Sequence, residues 1–413
     1  MFHPVRTATA SAGLAILTCL LLPVAGAQGT QDAAQAVAPA ETANAEDAYS
    51  AIIGDYQALL EQDPVAPEAA ARIRGRTAVL ADTGYGPALN LLAVMTEDGL
   101  AQPANPEAAY ALFRLAAQTG SVDARLNMAL RDLWSLDPAR VSEGRSTLDE
   151  LVVQPDLPDG FGAILTGYRG WADMHRPDLD TPPDPETTRG RLETGLAADP
   201  DNGWFNWAMA DWLSDMPAEL QDRAAILDHY QRAALSGQGR PAWIAGMMHL
   251  NGDGTPQDAQ EAFRWINLAA IAGLDDGVIS LAVMHAVGQG TPVDAERARA
   301  LYTEVARRGN AHALRGLGFM LIHGEGGPAD PPYGVALAQL AAESGDELAI
   351  QLLDQLRPHI PDEPSWHDQV SGARAGFLRE TGLSPDALYG AQTETSAAPV
   401  FMSDPGRTAA RTE

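Results

Sequence analysis

The loops Asn251-Gly-Asp-Gly-Thr-Pro-Gln-Asp258, Gly288-Gln-Gly-Thr-Pro-Val-Asp294 and Gly324-Glu-Gly-Gly-Pro-Ala-Asp330 decide the fold. Their first glycine, second glycine, proline and aspartate recur at intervals of 36 residues. An earlier copy holds Gly99, Pro103 and Asn105 in the same places, and Pro67 matches Pro103 one period upstream. Each part has a mechanical meaning. The apolar stretch before a loop, such as Trp243-Ile-Ala-Gly-Met-Met-His-Leu250, predicts a short helix. The first glycine reaches the left-handed conformation at low cost and stops that helix, and the proline cannot continue it. Asp258, Asp294, Asp330 and Asn105 then serve as N-caps for a second helix. Pro106 and Pro331 fit its first position, and Glu261 is placed for a capping box.

Outward from these loops the same period continues. Gly237, Gly273, Gly309 and Gly345 are each 36 residues apart, as are Gly84 and Gly120. Three positions before each stands an alanine: Ala81, Ala117, Ala234, Ala270, Ala306 and Ala342. The repeating unit is therefore a helix, a loop, a second helix and a glycine stop. Ala93, Gly246, Ala282 and Gly318 are equivalent positions in the first helix. Small residues in both helices let the backbones approach closely where they cross, so Ala306→Leu is expected to overpack a crossing.

This pattern resembles the Sel-one-like repeat (SLR) family, relatives of the tetratricopeptide repeats. The likeness rests on a helix ending before Gly-x-Gly, a Pro-x-Asp step and a second helix closing in Ala-Ala-x-x-Gly. Units 85–120, 238–273, 274–309 and 310–345 match well, and 49–84 only at Pro67, Ala81 and Gly84. A tyrosine that the family favours is Met95, Met248, Met284 and Met320 here, a tolerable core exchange. The resemblance implies an all-α fold, a right-handed α-solenoid of about eight helix-turn-helix repeats.

The boundaries follow. Residues 1–27 read as a signal peptide: Arg6, an apolar run ended by Pro23, then Ala25-Gly26-Ala27 with Gln28 as the mature start. Residues 28–48 read as a flexible linker and 49–120 as N-terminal units. Residues 121–237 read as divergent units near 121–156, 157–200 and 201–237, with a longer loop at 176–186. Three well-matched units fill 238–345. Capping helices are expected over 346–390, from Glu347 to Leu356, in 364–380 and in 384–390, and a disordered tail over 391–413.

Composition narrows the function. The 413 residues carry 55 acidic against 27 basic side chains, the latter all Arg, for a net charge of -28. Such a field repels phosphate backbones, which speaks against nucleic acid, and weakly favours cationic partners. Cys19, the single cysteine, lies in the apolar leader, so the mature chain has no thiol chemistry and no disulfide. No later stretch is long and apolar enough to span a bilayer.

No residue pattern points to catalysis, a metal or a cofactor. His249 and His285 are one period apart, but Thr96 and Leu321 stand in the flanking copies, so no third ligand follows. The glycine loops lack a phosphate-binding pattern, and Asn251-Gly-Asp253-Gly-Thr255 lacks the bidentate glutamate of a calcium loop. The expected surface is instead one for a partner. Trp243 is equivalent to Asn90, Ile279 and Arg315, so the frame does not dictate that position. Trp243, His249, His285 and Arg315 are expected near the concave face. Trp204 and Trp207, in a cluster with Phe205 and Trp212, are either core or an exposed anchor.

The reading is a non-enzymatic interaction scaffold or regulator of the bacterial envelope, periplasmic or secreted. The resemblance implies a protein partner such as an envelope sensor or a polysaccharide-export component. The alternatives are an envelope enzyme acting on cell-wall or β-lactam substrates and a carbohydrate-binding module.

Overall fold

The computed structural model describes residues 39–60, 65–135, 137–155, 157, 160–176 and 183–388. The readings of a signal peptide at 1–27 and of a disordered tail at 391–413 lie outside them, as does most of the long loop expected at 176–186. Among the described residues there are eighteen α-helices and no β-strand. The chain divides into two compact units, 223–234 and 238–388 forming the second and the remaining described residues the first.

The first unit begins with α1 (Pro39–Leu60) and α2 (Pro67–Ala81). Helix α1 starts inside the segment 28–48 read as a linker, so that reading is corrected from Pro39 onward. Proline fits a first helical position, and the Ala- and Glu-rich stretch after it favours helix. Then come α3 (Gly86–Glu97), α4 (Pro106–Gln118), α5 (Val122–Leu133), α6 (Pro138–Val152), α7 (Phe161–His175), α8 (Pro185–Ala198) and α9 (Gly203–Ser214). The divergent stretch thus keeps the alternation of first and second helix. Gly167 and Gly195 stand back to back where α7 crosses α8: a Cβ on Gly195 would lie 2.6 Å from the Gly167 Cα. A Cβ on Gly144 in α6 would lie 2.6 Å from the Ala129 carbonyl oxygen of α5. Close crossings persist there although the 36-residue signature is lost.

Two carboxyl groups in this unit are partly buried and largely desolvated. Burial pushes the Asp98 carboxyl, at the end of α3, up to about 7, and that of Asp123, in α5, up to about 6. Free aspartate titrates near ~3.9. The folded state therefore holds protons that the unfolded chain has released, and stability is lost as pH rises from about 4 to about 7. The first unit is expected to melt at higher temperature at pH 5 than at pH 8. Asp98→Asn is expected to raise the pH 8 melting point by ~2–4 °C and to flatten the dependence. An unchanged pH profile in a calorimetric scan of that variant would refute this.

The second unit contains α10 (Arg223–Leu235), α11 (Gly239–Asn251), α12 (Ala259–Ile271), α13 (Asp275–Val287), α14 (Ala295–Ala306), α15 (Ala311–His323) and α16 (Pro331–Glu343). It closes with α17 (Glu347–Leu356), α18 (Pro364–Thr381) and a single 3-10 turn at Pro385–Ala387, in place of a longer helix over 384–390. Helix α18 lays Val370 and Trp366 over Val335 and Ala336 of α16, covering the last repeat.

The loops behave as their sequence dictates. Asn105 caps α4, Asp258 α12, Asp294 α14 and Asp330 α16 through side-chain acceptors. Each cap's own backbone amide also closes the loop onto the last turn of the first helix. Asn105 donates to Thr96 at 2.9 Å, Asp258 to His249 at 3.0 Å, Asp294 to His285 at 2.8 Å and Asp330 to Leu321 at 2.9 Å. The Glu261 carboxylate pairs with Arg264 rather than completing a capping box. The second glycine of each loop lies on the first turn of the preceding unit's second helix. A Cβ on Gly254, Gly290 or Gly326 would stand 2.6 Å from the carbonyl carbon of Arg223, Ala259 or Ala295.

The helix crossings refine the expected alanine pattern. Ala116, Ala269 and Ala341, each four before a periodic glycine, are fully buried, whereas Ala117, Ala270 and Ala342 are only half-buried. In the unit ending at Gly309 both Val305 and Ala306 are fully buried. Within the pairs, Gly246 meets Ile266 of α12 and Gly318 meets Gly334 of α16. Ala306→Leu is expected to cost about 1–3 kcal/mol by overpacking, seen as a lower melting temperature of the second unit. Ala270→Leu is expected to be milder.

Candidate functional site: the face of the first helices

Which side of the first helices is free follows from what the other sides touch. In α11, α13 and α15 one side meets the second helix of the same repeat, at Gly246, Ala282 and Gly318. Another meets the second helix of the repeat before, where Gly277 packs on Ala269 and Gly316 on the Tyr302 ring. Met248, Met284 and Met320 lie buried. The side that remains carries Met247, Val283 and Phe319, one per repeat at 36-residue spacing. Val283 is 40% and Phe319 42% exposed, and Met247 is partly buried. One turn on, Val287 and His323 extend the row, the His323 ring stacking at 4.2 Å on Phe319. Val283, Val287 and Phe319, exposed on successive repeats, form an apolar patch suited to a protein partner.

The residues singled out in the sequence lie around this row rather than on it. Trp243 is half-buried, and its indole donates to the Ser280 hydroxyl at 2.9 Å, tying α11 to α13. His249 is 7% exposed and accepts at Nε2 from the Gln231 amide of α10 at 2.9 Å. Its expected surface role is corrected: the ring is buried between helices. His285 is half-buried, edge-on to Phe263 at 5.5 Å.

Arg315 turns to Asp346, the N-cap of α17, at 3.1 Å from its Nε, and His312 meets the same carboxylate at 2.9 Å. Burial would push the Asp346 carboxyl up. The Ala349 amide, His312 and Arg315 outweigh it and hold the group below the usual carboxylate range. This cluster anchors the capping helix.

Trp204 and Trp207 are corrected from a partner contact to core. They are 7% and 2% exposed. Trp204 meets Trp171 edge-on at 5.3 Å and Trp134 at a tilt at 6.0 Å, and Trp207 lies 4.6 Å from the His175 ring. Trp212 donates to the Pro185 carbonyl at 3.1 Å. These large rings of α7 and α9 pack on one another in the interior of the first unit.

Beside the rings sits a buried charge cluster. Asp173 of α7, its side chain fully buried, is met by Arg145 of α6 at 3.4 Å, by Arg169 of its own helix and by Arg191 of α8. Arg169 also reaches the exposed Asp149, and Arg145 donates to the Ala172 and Arg176 carbonyls at the end of α7. Its geometry is that of a clamp joining three helices.

Stacked helix pairs with repeated glycine loops make this a helical-repeat protein. A family model for the Sel1 repeat matches four segments of the chain, residues 86–121, 242–274, 277–310 and 311–346. The sequence has no match among curated proteins. One solved structure shares the fold, and two others give lower scores. A protective antigen present in uropathogenic Escherichia coli strains, displaying an SLR fold, gives a TM-score of 0.56 at 15% identity, over 88% of this chain and 74% of that one. A Sel1 repeat protein from Oxalobacter formigenes gives 0.44 at 21% identity, over 83% of this chain and 99% of its own. Yeast Tom70 gives 0.42 at 12% identity, over 88% and 72%.

Among the described residues no group of three or more His, Cys, Asp or Glu side chains could hold a metal ion, and no helix is long and apolar enough to cross a membrane.

Proposed function

We propose that this chain is a non-enzymatic interaction scaffold of the bacterial envelope that holds a protein partner against its first helices. The observation that carries the reading is the row Met247, Val283 and Phe319. The frame buries the chain neighbours of this position and leaves Val283 and Phe319 exposed and Met247 partly so. Repeat units that each contact mainly their neighbours build long surfaces of this kind. The leader read at residues 1–27 supports export, and an envelope sensor or polysaccharide-export component is the partner class the reading favours. Burial of Trp204 and Trp207 counts against the carbohydrate-binding alternative, which needs those rings exposed.

A photoreactive residue placed at position 283 in living cells is expected to crosslink one defined protein, and the same residue at position 264 on a second helix is not. Equal yields from both positions would remove the face as the docking surface. The chain recovered from the periplasmic fraction is expected to begin at Gln28, and retention in the cytosol with residues 1–27 intact would overturn the envelope assignment.

A further inference from the structure

We propose that α1 is a pH-governed cap on the N-terminal repeat, seated while the Asp98 and Asp123 carboxyls carry protons and released when they ionise. Tyr49 and Tyr56 lie seven residues apart in α1, two turns on and therefore on one face. Each stands beside one of the acids. The charge of Asp123 reaches the Tyr49 phenol and that of Asp98 the Tyr56 phenol, and burial together with that charge pushes both phenols up. The Tyr49 ring also meets Tyr85, the N-cap of α3, edge-on at 5.7 Å. Asp98 stands at the other end of α3. Between these points Ile52, Ile53, Tyr56 and Leu59 of α1 share one apolar cluster with Leu91 and Met95 of α3 and with Ala70 and Ile73 of α2.

Among the described residues no cation or hydrogen bond offsets burial at either carboxylate. From α1 come the two phenols, and Glu46, whose charge reaches Tyr85, adds only negative charge. From α2, Arg74 donates to the Thr96 hydroxyl at 3.1 Å, and Arg76 pairs with the exposed Asp55 of α1. Glu97 of α3 is paired with Arg131 of α5. Arg125 of α5 is committed to Glu150 at 2.8 Å and to Gln154 at 3.2 Å. Burial therefore favours the protonated acids, which titrate at about 7 and about 6.

The seated helix holds these protons, and the released helix leaves the acids in water, where they titrate near ~3.9. Rising pH thus draws the equilibrium toward release. Helix α1 is the part of the unit able to respond alone. It is the first described helix, and its side carrying Ser50, Ala51, Asp55 and Ala58 is exposed. Gly54 in its middle would meet nothing within 4 Å with a Cβ, so it lowers helix propensity without serving a close crossing. Local opening of such a terminal element costs less than unfolding the unit, and it would uncover Ala70, Ile73, Leu91 and Met95.

Hydrogen exchange on the full chain tests the proposal, each amide rate being divided by its intrinsic rate at the same pH. Between pH 5.5 and pH 8 the α1 amides are expected to exchange on the order of tenfold to a hundredfold faster, while α6, and α12 in the second unit, stay within about twofold. Asp98→Asn is expected to cut the rise to severalfold, and Asp98→Asn combined with Asp123→Asn to abolish it; both substitutions keep the side-chain shape. Gly54→Ala is expected to slow α1 exchange at both pH values and to leave their ratio unchanged. The proposal fails if α1 exchange ignores pH, or if the double variant keeps the full rise. It also fails if α6 loosens in step with α1, because the whole unit would then be responding rather than its cap.

Discussion

Replacing Gly290 by Ala is expected to lower the melting temperature of the second unit by roughly 5–20 °C. Two terms add. Gly290 holds φ at 71°, in the left-handed region, where a side chain costs about 1–2 kcal/mol. The added Cβ would also stand 2.6 Å from the Ala259 carbonyl carbon, backbone of the preceding repeat that no rotamer change can move. Overpacking of that kind costs about 1–3 kcal/mol or more. Gly372→Ala is the matched control in the same unit. Its Cβ meets nothing within 4 Å in the interior of α18, and better helix propensity should stabilise it by about 1 kcal/mol. Calorimetry of the two variants should move in opposite directions, and a Gly290→Ala protein that melts with the wild type would show that the loop does not couple neighbouring repeats.

Asp173→Ala is expected to destabilise the first unit by about 3–5 kcal/mol, because it leaves buried guanidinium groups without their anion. The Asp173 side chain is fully buried, while Arg145 and Arg169 are each 11% exposed in the same ion pairs. Asp173→Asn keeps the shape, loses the charge and should fall between. The exposed pair Arg232–Asp228 sets the contrast, with side chains 44% and 57% open to solvent. Pairs of that kind are worth about 0–1 kcal/mol, so Asp228→Asn should leave the melting curve almost in place. A first unit indifferent to Asp173→Ala would mean that α6, α7 and α8 are held by their ring and glycine contacts alone.

The repeating frame was legible because its signals are backbone requirements. A positive φ at Gly288 and Gly324, a cap at Asp294 and Asp330 and a proline between them admit few other residues, so the period survives in the letters. Packing detail was less legible. Ala269 and Ala270 are neighbours of equal size, and only the rotation of α12 decides that the first lies in the crossing. Aromatic letters were ambiguous for the same reason: nothing local to Trp204 or Trp207 reveals that Trp171, Trp134 and His175 close around them.

The apolar row itself left a trace that sequence reading passed over. Met247, Val283 and Phe319 change in shape at the repeat period while remaining apolar. The more conspicuous Trp243, His249, His285 and Arg315 make contacts between helices instead.

The seating of each second loop glycine on the helix before it also governs how such a chain changes length. Because the glycine of one module rests on a carbonyl supplied by its predecessor, excision of one whole period rejoins like to like. Removing 274–309 would bring Gly326 onto Ala259, the seat that Gly290 vacates. A cut that is not a whole number of periods would set the glycine against the wrong carbonyl. Duplication and loss in entire cassettes is thus the mode of growth that this joint permits, and it would lengthen or shorten the apolar row by one side chain at a time.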